Sequence, residues 1–415
     1  ERAWEQNTDV SVARSRVDGA KAQLQVARAA YILPRLRLES FGGLVPDAKG
    51  DIFNPPSDTS GLRPLGPFVR AELQFIQPLY TFGQLSNLRA AASAGVDVER
   101  AGLAGSRQDV ARQVKELYYG VLLAQDLSSL AGRLQGELGK WESEISFDDP
   151  DIPLSAPYKL RLALIELSDR EREITDRLDL ARAALAWKVG LDEQAPFSLA
   201  EGWLTPVQAE VPSAEILFET AILHRADWQQ LRAGIAARGA QEAAARSAYL
   251  PQVFLAGGVR FASAPGRTDQ HSPFVKDDYN LFNGAVVLGL RQSFEWGMLD
   301  AEVDRARARR LQLEARRHSG QQGIRLEIDS AHGAYRRAEA ELTGALEARN
   351  LVREWVQLAR DEFELDPSQV KELISAFEAL AGSEEAYYRA IYRHNVALAE
   401  LERVIGAPLR TDETP

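Results

Sequence analysis

Two turns carry the residues best placed for chemistry. Asp148, Asp149 and Asp151 fall between one pair of candidate helices, and Glu362, Glu364 and Asp366 between another. Gathered around one opening by several copies of the chain, these carboxylates would form a ring that raises the local cation concentration. Taken singly, each acid also reads as an ordinary cap or solvated turn residue near Pro150, Pro153, Pro157 or Pro367. Taken together, the six read as an acidic mouth. Reaction chemistry is not evident elsewhere. His224, His271, His318, His332 and His394 are scattered, and no pair has the spacing of a metal site on one helix. Cysteine is absent, which excludes disulfides, zinc–thiolate sites and thiol nucleophiles. No nucleophile–base pair and no glycine-rich phosphate loop stands out, so the sequence points to no enzyme, no cofactor and no metal. A net charge of -11 disfavours a nucleic-acid partner, which needs a clustered basic face.

The elements that must position these acids are long helices. Prolines cluster sharply and leave 79–149, 158–195, 213–250, 274–366 and 368–407 free of them. An interior proline costs a helix about 3 kcal/mol, so long helices belong in those gaps. Apolar residues there recur in steps of three and four. One run is Leu160, Leu164, Leu167, Ile174, Leu178 and Leu185; another is Val370, Leu373, Phe377, Leu380, Tyr387, Ile391, Leu398, Leu401 and Ile405. Sustained spacing of this kind is the coiled-coil pattern. Glu171 and Glu384 interrupt the two stripes at corresponding places. A helix over 84–146 would extend roughly 90 Å at 1.5 Å per residue.

The chain also resembles itself. Asp9 to Tyr31 matches Asp227 to Tyr249, Leu33-Pro34 matches Leu250-Pro251, and Gly42-Gly43 matches Gly257-Gly258. Gln77-Pro78-Leu79-Tyr80-Thr81-Phe82-Gly83 parallels Gln292 to Gly297, and Gly190 parallels Gly406. A unit of about 215 residues present twice is a duplicated half-domain, longer than a solenoid repeat. The first copy, 1–212, is expected to hold a helix, strands near 35–43 and 67–77, helices near 84–146 and 157–190, and an equatorial segment 191–212. The second, 213–415, is expected to hold a helix near 213–248, strands near 252–261 and 283–294, helices near 298–364 and 368–406, and a tail.

The strand segments have period 2. Val69, Ala71, Leu73 and Phe75 alternate with Arg70, Glu72 and Gln74, and Leu36 and Leu38 alternate with Arg37 and Glu39. About ten residues, apolar on one face and polar on the other, is the signature of a membrane β-barrel strand. Tyr31, Tyr80, Phe82, Tyr249, Phe282, Phe294 and Trp296 lie at the ends, as an aromatic belt at the membrane interface would. Long loops rich in proline and glycine join each strand pair, over 44–67 and 262–280. No apolar run approaches the roughly 20 residues of a transmembrane helix. The chain opens at Glu1 without a secretory signal or a leading cysteine, and so reads as a processed mature chain without a lipid anchor.

Four strands cannot close a barrel, and bare sheet edges in lipid cost several kcal/mol per backbone group. The protomer must therefore oligomerise, and three copies would supply twelve strands around an aqueous lumen.

The order helix, Tyr-Leu-Pro, strand, long loop, strand, Gln-Pro-Leu-Tyr-Thr-Phe-Gly and long helix, occurring twice, resembles the TolC-like outer-membrane efflux proteins. Arg225-Ala226-Asp227-Trp228 is similar to that family's Arg-Pro-Asp-Leu signature, and Ala248-Tyr249-Leu250-Pro251 to its usual approach to a strand. The resemblance covers essentially the whole chain. It implies an α+β membrane protein: a homotrimer with a twelve-stranded barrel in outer-membrane lipid and a long periplasmic helical barrel. It further implies an equatorial belt at 191–224 with the C-terminal tail, a periplasmic adaptor docked at the helical tips, and an inner-membrane pump. In that family a Ser or Thr near the start of the second tip helix is often followed three residues later by an acid. Here Ser155 is followed by Tyr158 and Ser368 by Lys371, so the family's gating acids do not carry over. Lys371, Glu372 and Arg161 are candidates for different links between protomers. Two other readings stay open on the residues alone. A coiled-coil scaffold without a membrane span explains the helices but not the alternating segments, and a diffusion porin explains the strands but not the helices.

Overall fold

The computed structural model describes residues 2–50, 53, 64–144, 153–191, 197–270, 273–274, 276–295 and 297–410. Its helices are α1 (Arg2–Gln6), α2 (Thr8–Ile32), α3 (Gln84–Glu144), α4 (Ala156–Val189), α5 (Ala214–His224), α6 (Ala226–Arg246), α7 (Met298–Leu365) and α8 (Val370–Ile405). Its strands are β1 (Arg35–Pro46), β2 (Leu65–Tyr80), β3 (Gln252–Ser263) and β4 (Leu281–Arg291). Helix, two strands and two long helices follow one another twice along the chain. The residues fall into two compact units: 1–17, 98–232 and 316–415 make the first, and 18–97 with 233–315 the second.

The second unit is built on one antiparallel sheet of order β1-β2-β3-β4. Its register sets Leu38 beside Leu73, Leu73 beside Val259, and Phe261 beside Phe282. β2 runs on through Pro78 to Tyr80, where the register against β3 shifts. Proline has no N–H to give the ladder, so the irregularity falls where the pairing is already broken. Gly257 and Gly289 leave room for aromatic rings. A Cβ on Gly257 would come within 2.5 Å of the Phe75 ring, and one on Gly289 within 2.4 Å of the Phe254 ring. Among the described residues β1 and β4 are the outer strands, each paired on one side only.

The first unit is a helical assembly. Leu134 and Leu138 of α3, Leu160 of α4, Ala359 of α7, and Val370, Leu373 and Phe377 of α8 form one buried cluster near the turns. Leu217, Trp228, Ile328, Leu401 and Ile405 form another. α4 and α8 both end on glycines in the left-handed region, Gly190 (φ 73°) and Gly406 (φ 75°), whose N–H groups return to the last turn. A Cβ on Gly406 would stand 2.8 Å from the Arg225 backbone, so the end of α8 abuts the junction of α5 and α6.

That junction corrects one expectation. A single helix over 213–248 is interrupted at Arg225, whose backbone is extended (φ -66°, ψ 122°). Its side chain explains the break. The guanidinium donates to both carboxylate oxygens of Asp227 at 2.8 and 3.0 Å and to the Val404 carbonyl at 3.3 Å, and it also pairs with Glu327. Asp227 in turn accepts the Trp228 N–H at 2.8 Å, and the Trp228 ring is buried. The Arg-Ala-Asp-Trp sequence is thus a joint that fastens α5, α6, α7 and α8.

Polar side chains fix the segment 197–212 as well. Buried Asp126 of α3 accepts the Leu204 N–H at 2.8 Å. Asn395 of α8 accepts the Val207 N–H at 2.9 Å and donates to the Thr205 carbonyl at 2.8 Å. Glu210 N–H donates to the Arg410 carbonyl at 3.1 Å, which joins the segment to the tail. Farther along α8, Glu384 is buried and takes Arg349 Nε at 2.9 Å and Arg353 Nε at 2.7 Å on a single oxygen. Arg349 also lies over the Tyr387 ring at 4.4 Å. Glu171 is only half-buried, so the two interruptions of the stripes are not alike.

Two measurements follow from these fasteners. Burial raises the Asp126 carboxyl above its ordinary range despite the bond from Leu204. The folded chain then holds that proton more tightly than the unfolded chain. The stabilisation is complete below the ordinary carboxyl pKa and is lost as pH rises through the raised value. Asp126→Asn keeps the acceptor and removes the charge. In detergent its thermal midpoint at pH 7 is expected to equal or exceed that of the parent, with the gap closing below about pH 4. A variant several degrees less stable at pH 7 would contradict this. Glu384→Ala strands two arginines and is expected to cost about 3 kcal/mol, read as a lower helical melting midpoint. Replacing the cluster together (Arg349→Met, Arg353→Met, Glu384→Leu) is expected to recover most of the loss.

Candidate channel mouth and barrel face

The turn between α7 and α8 sorts the acidic candidates. Asp366 follows the last residue of α7, and its N–H donates to the Glu362 carbonyl at 2.9 Å. Its carboxylate accepts the Ser368 N–H at 3.0 Å, at the start of a 3-10 turn over Pro367–Gln369. Side-chain and backbone hydrogen bonds from Ser368 hold this carboxyl below its ordinary range. Asp366 is therefore a capping residue of the turn as well as a surface charge. Glu362 and Glu364 are exposed, and no ion pair engages them among the described residues. Lys371 and Arg161 are exposed too, while Glu372 accepts the Trp355 indole N–H at 3.1 Å and so ties α8 to α7 within one chain. Asp148, Asp149 and Asp151 lie outside the described residues, as does Trp296.

One group near the turns had no signal in the sequence. Arg360 of α7 pairs with Glu137 of α3 at 2.5 Å, and its guanidinium lies 5.7 Å from the Trp141 ring and 5.1 Å from the Phe377 ring. Those two rings meet edge to face at 4.1 Å. Trp141 and Phe377 belong to apolar stripes and could be found from spacing. Arg360 sits in a polar run like any other exposed arginine, and only the fold brings it to them.

The sheet separates its side chains by face. Leu36, Leu38, Val286, Leu288 and Leu290 share one face and are each at least 66 % exposed, with Val69, Leu73, Val259, Phe261 and Phe282 among them. An apolar patch of this extent is not left against water in an ordinary soluble protein. The opposite face carries Arg37, Glu39, Arg70, Glu72, Gln74, Arg260 and Asn283, with a few apolar residues such as Phe41 and Ile76. Glu72 is the hub there, accepting Gln74 at 2.6 Å and Arg260 at 3.2 Å. Aromatic residues flank the strands. Tyr80 and Phe82 stack edge to face at 4.6 Å, Arg89 lies 5.2 Å from the Tyr31 ring, and the Tyr249 hydroxyl donates to Asp300. Phe282 and Phe294 are strongly exposed. Among the described residues no helix is long and apolar enough to cross a membrane, and no cluster of metal-ligating side chains occurs.

Comparison with known proteins agrees with this geometry. Residues 1–134 match the family model described as outer membrane efflux protein. The sequence matches no curated protein. In three dimensions the chain is similar to the open state of the MtrE outer membrane channel of Neisseria gonorrhoeae, with a TM-score of 0.77 at 18 % identity over 100 % of this chain and 89 % of that one. It is similar also to the outer membrane protein VceC of Vibrio cholerae, at a TM-score of 0.76, 16 % identity, and 98 % and 95 % coverage. A membrane protein from Pseudomonas aeruginosa gives 0.77, 20 %, 98 % and 92 %. The first 134 residues thus resemble outer membrane efflux proteins in sequence, and the chain shares along nearly its whole length the fold of these outer-membrane channels.

Proposed function

We propose that three copies of this chain close a twelve-stranded barrel and serve as the passive exit duct of a tripartite exporter or type I secretion system. A periplasmic adaptor and an inner-membrane pump would deliver the cargo. The observation that carries the reading is the sheet with one apolar face, one polar face and two bare edges. In lipid the edges of β1 and β4 must be paired, and pairing β4 of one copy with β1 of the next satisfies them without any new element. A scaffold without a membrane span has no use for the apolar face, and a diffusion porin has none for helices of 61 and 68 residues. In detergent the protein is expected to run as a stable trimer, and deletion of its gene to abolish export of one class of compound while general permeability is unchanged. A water-soluble monomer would refute the duct.

The turn between α7 and α8 is assigned as part of the channel mouth, with Glu362 and Glu364 as its free charges and Asp366 as its cap. Asp148, Asp149 and Asp151 are proposed to add to the same acidic rim, and Lys371 and Arg161 to meet neighbouring protomers. Glu362→Lys with Glu364→Lys is expected to lower the preference for cations in planar bilayers, read as a shift in reversal potential under a salt gradient. Identical reversal potentials would remove these two residues from the mouth.

A further inference from the structure

The four strands together contain seven charged residues: Arg35, Arg37, Glu39, Arg70, Glu72, Arg260 and Arg291. The register places all seven on the face opposite Leu36, Leu38, Val286 and Leu288. Alternation explains why they share a face, since none belongs against lipid. It does not explain their sign. Five arginines against two glutamates leave three positive charges, in a chain whose net charge is -11. A lumen can be wetted by neutral groups, and Gln74 and Asn283 on the same face do so.

Four of the five arginines also have a partner on that face. Glu72 takes Arg260 at 3.2 Å and lies 3.8 Å from Arg70. Arg37 pairs with Glu39 along β1. Arg291 rests 5.0 Å from the Phe254 ring, which can lie there because residue 289 is glycine. The two glutamates therefore position three of the arginines, and the excess positive charge lies on the polar face of the sheet. In sequence the segments joining β1 to β2 and β3 to β4 carry both signs (Asp47, Lys49, Asp51, Asp58, Arg63, Arg267, Asp269, Lys276, Asp277 and Asp278) with no positive excess, so the bias belongs to the strands.

Resting on the duct reading, we propose that the barrel lumen is an anion-attracting section, lined by Arg35, Arg37, Arg70, Arg260 and Arg291, that favours solutes bearing carboxylate, phosphate or sulfate groups. Three copies would triple the excess around one water-filled passage. Low-dielectric walls focus such a field and raise the local concentration of counter-ions. This is a charge selection of its own, opposite in sign to the carboxylates of the α7–α8 turn.

The test is side-specific block of the trimer in a planar bilayer, with inositol hexakisphosphate added on the barrel side at low salt. The parent is expected to be blocked. The concentration for half-block should rise about tenfold or more in Arg35→Gln/Arg37→Gln/Arg291→Gln, which leaves Glu72 and its partners intact. It should fall in Glu39→Gln, which removes an opposing charge. Hexaamminecobalt(III) on the same side should block less than the polyanion. An unchanged half-block in the triple variant of a conducting channel, or equal block by the trivalent cation, would overturn the proposal and leave the duct standing. If the parent carries no current at all, the duct fails and this inference fails with it.

Discussion

Every backbone N–H and C=O that enters lipid must find a partner in the protein, because hydrocarbon offers none. The four-stranded sheet meets that demand along β2 and β3 and leaves it open along β1 and β4. Much of the remaining architecture follows. In the proposed barrel the apolar face would be covered by lipid. In the same barrel the polar face and its arginines would line an enclosed, wet lumen. The average composition of such a barrel can stay polar, because only alternate residues of four short segments would touch hydrocarbon. Among the described residues no helix is long and apolar enough to cross a membrane, and a β-barrel needs none.

The helical unit works by a different rule. Its apolar stripes say which faces meet, but a stripe of leucine and alanine tolerates sliding. Polar contacts remove that freedom. Asp126 and Asn395 hold the 197–212 segment by its backbone, and Arg225 holds two helix ends and the start of a third. Buried polar groups are costly when left unpaired, so a slipped register would strand several of them at once. Glu384 illustrates the same logic with full charges, since it is buried only in company with Arg349 and Arg353.

The chemistry of a channel lies in the sign and placement of its charges rather than in a reactive group. Here acids gather at a helical turn and arginines gather on one face of the sheet. Each set is embedded in local structure. Asp366 caps the turn that presents Glu362 and Glu364, and Glu72 braces the arginines beside it. The same residues thus shape the backbone and set the local field.

The fold class was legible in the sequence because its two signals are local. A step of three or four residues reports one face of a helix, and a step of two reports one face of a strand, whatever the rest of the chain does. Proline placement added the breaks. The choice of polar partners was not legible. Nothing in the proline-free run around Arg225 marked a break, because the groups that recruit its side chain include Val404 and Glu327, far along the chain. Glu384 looked like a flaw in an apolar stripe until α7 supplied its arginines. Glu372 looked free until Trp355 took it. Periodicity is a property of neighbours in sequence, so the sequence alone determined which elements form and which faces they present. Pairing of buried charges and hydrogen-bonding groups depends on distances between remote segments, and only the tertiary structure decided it.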